Sequence, residues 1–124
     1  MLEIGRTDTL VTSIVSDEIG QQKHDKVYVP RNMQTLAAID FHEVGIRKNG
    51  VVVFVNTRYS CLREPSLKHS FKPVLCPSFI SKLSPEDRRH LNGLAMVDGE
   101  PKYVAAVSRS DVVDGWRDRK RCRP

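Results

Sequence analysis

Two short segments of this 124-residue sequence place histidine beside other side chains that can bind a ligand. The first reads Asp40-Phe41-His42-Glu43, and the second reads His90-Leu91-Asn92. Imidazole, carboxylate and amide groups can ligate metal ions, and the first two can also accept a proton. In a β-strand, residues two apart lie on one face, so Asp40 could orient the His42 ring. The two segments are therefore candidate parts of a binding or catalytic site.

The chemistry of these candidates leaves several alternatives open. A hard ion such as calcium would select Glu43 and Asn92, whereas the histidines suit softer metals. A bound metal could activate water for hydrolysis. Equally, the same side chains could hydrogen-bond adjacent loops and cap strand ends. Arg58, at the start of a predicted strand, could bind an anion or pair with an acid, and no nucleophile can be assigned, so catalytic residues stay unknown and enzymatic activity is uncertain.

The elements that must position these residues are two β-hairpins of similar sequence. Residues 42–57 contain an Asn-Gly turn and residues 90–108 an Asp-Gly turn, and both dipeptides are typical of tight hairpins. In the alignment, His42-x-x-Gly matches His90-x-x-Gly, with a period of roughly 48 residues. A repeat of this length with several short strands is typical of β-propeller blades. The histidines would then lie at one mouth of the central channel, together with Glu43 and Arg58.

The predicted fold is mainly β, with about two antiparallel propeller-like blades in an incomplete ring. The run Val51–Val55 is apolar on both faces, which predicts a strand between two packed layers. Ser84-Pro85-Glu86-Asp87 has the residue types of a helix start, so one short helix is predicted near residues 85–90. Two blades cannot close a ring, so we expect a part of a larger fold, or self-association through exposed blade faces.

The composition indicates the cellular compartment and the kinds of partner to expect. The net charge is +5, but residues 117–124 hold five basic residues and one acidic residue, so the remainder is nearly neutral. The tail has no interleaved aromatic residues to stack bases, and no nucleic-acid partner is expected. No apolar run approaches the roughly 20 residues of a membrane span, and the first 20 residues do not read as a signal peptide. The sequence therefore predicts a cytoplasmic protein without a membrane partner.

Several strings resemble an uncharacterised bacterial family of conserved hypothetical proteins, the domain of unknown function DUF4915. They are HDKVYVPR (24–31), DFHEVGI (40–46), VNTRYSCL (55–62), PSFISKLSPEDRRHLNGLAM (77–96) and GWR (115–117). The resemblance implies a propeller-like fold that extends beyond this segment, and it implies no activity, cofactor or catalytic residue. It divides the chain into a divergent leader (1–20), a partial propeller-like domain (21–116) and a basic tail (117–124), an arrangement expected of a truncated or frameshifted copy.

A looser similarity connects the chain to calcium-dependent lactonase propellers. Their Asn-Gly-Leu-Ala element, which supplies a metal ligand, corresponds to residues 92–95, and a blade-start glutamate corresponds loosely to Glu43. Two hypotheses follow. The first is a propeller-like binding or scaffold module of unknown ligand, and the alternative is a metal-dependent hydrolase or lactonase-like domain that uses Glu43 and Asn92 with a divalent cation such as calcium.

Overall fold

The computed structural model describes residues 8–15 and 26–117. Within these ranges the chain forms eight β-strands in three antiparallel sheets, ordered β1-β2, β3-β4-β5-β6 and β7-β8. The strands are β1 (Thr9–Val15), β2 (Tyr28–Thr35), β3 (Phe41–Ile46), β4 (Val52–Asn56), β5 (Cys61–Glu64), β6 (Lys72–Leu75), β7 (Leu91–Val97) and β8 (Glu100–Ala106). The mainly β fold class is therefore confirmed. Most of the predicted leader, residues 21–25 and the tail from residue 118 lie outside the described ranges.

The first hairpin pairs β1 with β2 and runs through a proline. In the sequence, Pro30 indicates either the edge of a sheet or the end of a strand; β2 continues past it to Thr35, in a sheet of two strands. Pro30 lies opposite Ser13, next to an irregularity in the register. Because a proline cannot donate to a ladder, such an irregular, exposed position is where a strand tolerates it.

The β3-β4 and β7-β8 hairpins both turn at an Asx-Gly dipeptide, but only the second turn has positive φ at both of its residues. Gly50 has φ +82° in the β3-β4 turn. In the β7-β8 turn, Asp98 has φ +51° and Gly99 has φ +71°, as a type I′ turn requires. Both hairpins predicted from the Asx-Gly dipeptides are therefore confirmed. The turns also touch, since the Lys48 N–H donates to the Gly99 carbonyl at 2.8 Å.

Strand β4 is buried on both faces, as its apolar sequence predicts. Val53 and Val55 are 0% exposed and pack with Leu62 and Leu91, which joins β4 and β5 to β7. Phe54 points to the opposite side, where it packs with buried residues between β2 and β3, Leu36 and Ile39. The core therefore lies on both sides of the central sheet, and the last hairpin covers one of them.

The last hairpin is fastened to the central sheet by packing and by charge. Strand β7 passes so close to β3 that a Cβ atom on Gly45 would come within 2.7 Å of the Met96 sulfur. The Arg47 guanidinium reaches Glu64 on β5 and Glu100 on β8, each at 2.8 Å. These contacts fix the register of the last hairpin relative to β3.

The short helix predicted near residues 85–90 is wrong. The chain there forms bends, and no helix occurs within residues 8–15 and 26–117. Asp87 has φ +38° and His90 has φ +54°, which an α-helix cannot accommodate. Glu86 N–H instead donates to the Ser84 carbonyl, and Asp87 N–H donates to the Arg58 carbonyl.

Among the described residues, no helix is long and apolar enough to cross a bilayer.

Candidate ligand-binding cleft

A cleft of about 370 Å³ opens where β3 and β7 begin. Its walls come from the segment before β3, the turn after β4, the segment before β7 and the loop after β8. The lining residues, called here the acidic cleft, are Asp8, Ala38, Asp40, Arg58, Pro85, Glu86, Asp87, Val113, Asp114 and Arg117. Five of these are carboxylates and two are guanidinium groups. Glu86 is paired with Lys82 and Arg88, and Asp114 with Arg117, which leaves Asp8, Asp40 and Asp87 against Arg58 among the lining residues and so an excess of negative charge.

The segments before β3 and β7 have equivalent backbone geometry. Asp40 has φ +53° and His90 has φ +54°, and each immediately precedes its strand. The Asp40 carbonyl accepts from Thr57 N–H, and the His90 carbonyl accepts from Val107 N–H in the same way. In the folded chain His90 therefore corresponds to Asp40, two residues earlier than the sequence alignment with His42 predicts. The two strand starts therefore share their geometry at a register that differs from the one in the sequence alignment.

His90 is held by Asp87 through two hydrogen bonds. Its backbone N–H donates to Asp87 Oδ1 at 2.9 Å, and its Nδ1 lies 2.9 Å from Asp87 Oδ2. The same Oδ2 accepts from Trp116 Nε1 at 2.8 Å, and the indole stacks on the His90 ring with centroids 4.2 Å apart. Because a carboxylate only accepts, Nδ1 carries the proton and the lone pair of the neutral ring is on Nε2.

A second histidine approaches this arrangement from β3. The His42 ring lies edge-on to the His90 ring, with centroids 5.2 Å apart. Its Nε2 is 3.8 Å from Asp40 Oδ2. Asp40, Asp87 and His90 each offer one ligand atom within 4.8 Å of the others. Asp40, His42, Asp87, His90 and Trp116 are called here the histidine cluster. Two of them, Asp40 and Asp87, also line the acidic cleft.

Asp8 and Arg58 anchor the edge of the acidic cleft. Asp8 Oδ2 accepts the backbone N–H groups of Ile39 and Phe41, each at 3.2 Å. These bonds hold the backbone on either side of Asp40. The Arg58 guanidinium is exposed and donates to the Ala38 carbonyl at 3.4 Å. The cleft edge is thus set by side-chain-to-backbone bonds instead of by a regular strand.

An ion network supports the floor of the cleft. Arg88, 8% exposed, pairs with Glu86 at 2.8 Å and with Asp111 at 2.7 Å. The pKa of the Glu86 carboxyl falls to about 2, first because of the hydrogen bond from Lys82 and then because of those from Ser84 and Arg88. The hydrogen bond from Arg88 likewise lowers the pKa of Asp111. Both acids therefore stay ionised far below neutral pH.

The structure places the predicted site residues in different settings. His42 and His90 come together in the histidine cluster, and Arg58 lines the acidic cleft. The Glu43 carboxylate accepts the Leu94 backbone N–H at 2.6 Å and so bridges β3 to β7. Asn92 is exposed on β7. Glu43 and Asn92 belong to neither group of residues.

Two residues that organise the site, Asp87 and Trp116, are not found by sequence reasoning. The sequence pattern assigns Asp87 to a helix start, and for Trp116 the sequence favours packing on a blade edge over stacking on a ligand. The usable signal is the spacing Asp87-x-x-His90, because an Asp side chain can accept the backbone N–H three residues later. Trp116 is the only tryptophan and lies 26 positions further on, so no local pattern connects the two.

Comparison with known proteins identifies the family. The family model for the domain of unknown function DUF4915 matches residues 6–123. The chain belongs to this family. The match covers both strand segments of the acidic cleft and all five residues of the histidine cluster. No curated protein and no solved structure matches the chain significantly.

Proposed function

We propose that this DUF4915 chain forms part of a propeller-like binding domain and that the acidic cleft is its ligand site. Three features support the propeller-like arrangement. Strands β3 to β6 form a four-stranded antiparallel meander, which is the form of a blade. Strand β7 packs on β3 and β4 and begins with the same backbone geometry as β3. Strand β4 is buried on both faces, as it would be between neighbouring blades.

The observation that carries the ligand proposal is the charge of the acidic cleft. Carboxylates outnumber guanidinium groups five to two, in a cleft of about 370 Å³ built from the loops that precede two equivalent strands. A volume of this order suits a small molecule. Since clustered carboxylates favour positive charge, the ligand is a small organic cation, such as an amine or a guanidine.

The side chains that the sequence predicts as ligand-binding have different roles in this proposal. Arg58, inside the acidic cleft, would contact electronegative groups of the same ligand. His42 and His90 lie beside the cleft. They contact its lining residues Asp40 and Asp87, respectively, and would act on the ligand through them. Glu43 has a structural part, because its carboxylate already accepts the Leu94 N–H.

The sole tryptophan provides the test. Trp116 Nε1 donates to Asp87, a lining residue, so its fluorescence should report a ligand in the cleft. We would titrate the full chain with spermidine, agmatine and choline, using acetate as the anionic comparison. Saturable changes with a cation, weakened at least tenfold by Asp40→Asn and unchanged by Asp98→Asn, are expected. Asp98 is exposed in the β7-β8 turn at φ +51°, a conformation that Asn tolerates.

Two outcomes would refute the ligand proposal. One is the lack of a saturable response to any of the three cations. The other is an equal loss of affinity in Asp40→Asn and Asp98→Asn, since that loss would reflect overall charge instead of the cleft.

We further propose that copies of the chain self-associate along β8. Among the described residues β8 pairs only with β7, which leaves its outer edge open. Tyr103 is 65% exposed and Val104 is 37% exposed on that strand. An open edge with exposed apolar side chains is a template for another strand.

The proposed compartment is the cytoplasm of a bacterium. The bacterial origin is the part suggested by the family resemblance. Cys61 and Cys76 are free thiols, as is common in reducing compartments. Burial raises the pKa of Cys61 to about 12, so this thiol is unreactive near neutral pH.

A further inference from the structure

We propose that Asp40, His42 and His90 bind a divalent first-row transition metal ion, with Asp87 as the acceptor that orients His90. This inference rests on the proposed function only in that Asp40 and Asp87 also line the acidic cleft. Its other two residues, His42 and His90, lie outside the lining of that cleft. The two sites can therefore be tested separately.

One pair of donor atoms already has close to the spacing that a metal ion requires. For bonds of about 2.1 Å in a tetrahedral site, ligand atoms lie roughly 3.4 Å apart. His42 Nε2 and Asp40 Oδ2 are 3.8 Å apart. The three residues whose ligand atoms fall within 4.8 Å of one another are Asp40, Asp87 and His90. His42 joins this group through Asp40, and a rotation of its partly exposed side chain towards His90 would bring the three donors onto one ion.

Asp87 orients the His90 ring for metal binding. With Nδ1–H directed at Asp87 Oδ2, the ring presents the lone pair of Nε2, which is the nitrogen left for a metal. A carboxylate that accepts the second ring N–H of a ligating histidine is the usual outer partner at metal sites, where it fixes the ring and makes it more basic. Trp116 adds to this by donating to Asp87 and stacking on His90.

The donor set selects the metal. Two imidazoles and one carboxylate suit zinc, iron(II), cobalt(II) or manganese(II), whereas calcium requires six or more oxygen ligands. The side chains of His42 and Asp40 are 35% and 44% exposed, so an ion here would keep positions open to water or ligand. This site uses neither Glu43 nor Asn92, the pair suggested for calcium by the sequence.

The experiment uses cobalt(II) as the probe on the full, chelator-treated chain. Tetrahedral or five-coordinate cobalt bound by imidazole gives visible absorption bands, and titration with zinc should abolish them by competition. We expect one cobalt per chain. His42→Gln should weaken binding at least tenfold, while its matched control His69→Gln, in an exposed loop, should not change it. Asp87→Asn should weaken binding by about 10- to 100-fold.

Folding of the variants is verified separately by their melting curves without metal. Because the His42 side chain is partly exposed, His42→Gln should melt like the wild type. A wild-type chain that binds no cobalt or zinc would overturn the proposal. So would equal weakening by His42→Gln and His69→Gln. If metal binding fails while the chelated chain still binds an organic cation dependent on Asp40, the metal site is refuted and the acidic cleft stands.

Discussion

Leu91→Ala tests whether the last hairpin and the central sheet form one cooperative unit. Leu91 is 1% exposed and packs with Val53, Val55 and Leu62, so it supplies the contact between β7 and the core of the central sheet. Its carbonyl also accepts the Thr57 hydroxyl. Removing a buried leucine side chain costs about 2–5 kcal/mol, depending on how far the cavity collapses. We expect about 3 kcal/mol, because rigid strands enclose the site on two sides.

Urea denaturation measures this loss. With a slope of about 1.5 kcal/mol per molar urea for a chain of this size, the midpoint should fall by about 2 M. The melting temperature should fall by about 12 °C. The unfolding should be followed by circular dichroism, which reports all strands, and by Trp116 fluorescence, which reports the histidine cluster. Coincident transitions in the wild type are expected for a single unit.

The matched control is Leu67→Ala. Leu67 is 103% exposed, so the same chemical change there should alter stability by less than about 0.5 kcal/mol. If Leu91→Ala were as mild as Leu67→Ala, the packing of β7 on the central sheet would be refuted. If only the fluorescence transition shifted, the hairpin would unfold independently of the sheet.

Two further predictions concern pH and association. The folded pKa of Glu86, about 2, lies below its ordinary value of 4.5, so its contribution to stability is present above pH 4.5 and lost as pH falls towards 2. Glu86→Gln should therefore flatten the decline in melting temperature between pH 4.5 and 2, and curves parallel to the wild type would contradict this. Self-association along β8 should appear as a rise in sedimentation coefficient with concentration. Tyr103→Lys should suppress this rise, and a wild-type chain that stays monomeric at all concentrations would contradict the proposal.

The hairpins and the core of this fold can be predicted from the sequence because their signals are local. Asn49-Gly50 and Asp98-Gly99 specify turns, and the apolar run Val51–Val55 specifies a strand buried on two faces. Each depends on residues a few positions apart. The length of β2 cannot be predicted this way, because Pro30 is tolerated in an exposed strand that pairs irregularly with β1 alone. That tolerance depends on the partner strand.

The candidate site is predicted only in part for the same reason. His42 and His90 are indicated by the repeat, but the alignment places them in equivalent positions. The folded chain makes Asp40 the equivalent of His90 and leaves His42 two residues further along β3. The two histidines meet because β3 and β7 pack side by side, not because the repeat duplicates one position. Trp116 contacts His90 from a loop after β8, and no strand pattern in the sequence predicts where that loop lies.

The absence of the predicted helix and the geometry of the histidine cluster have the same physical cause. A helix over residues 85–90 would require negative φ throughout, but Asp87 and His90 both adopt positive φ, at a cost of about 1 kcal/mol or more each. Two interactions offset this cost. The Asp87 carboxylate accepts the His90 backbone N–H, and its second oxygen accepts from the His90 ring and from Trp116. In a helix, a backbone carbonyl would accept the His90 N–H, and the carboxylate would not be needed. The positive-φ conformation is therefore favoured by the side-chain contacts that it allows. The departure from the helical pattern is thus accounted for by the contacts among Asp87, His90 and Trp116.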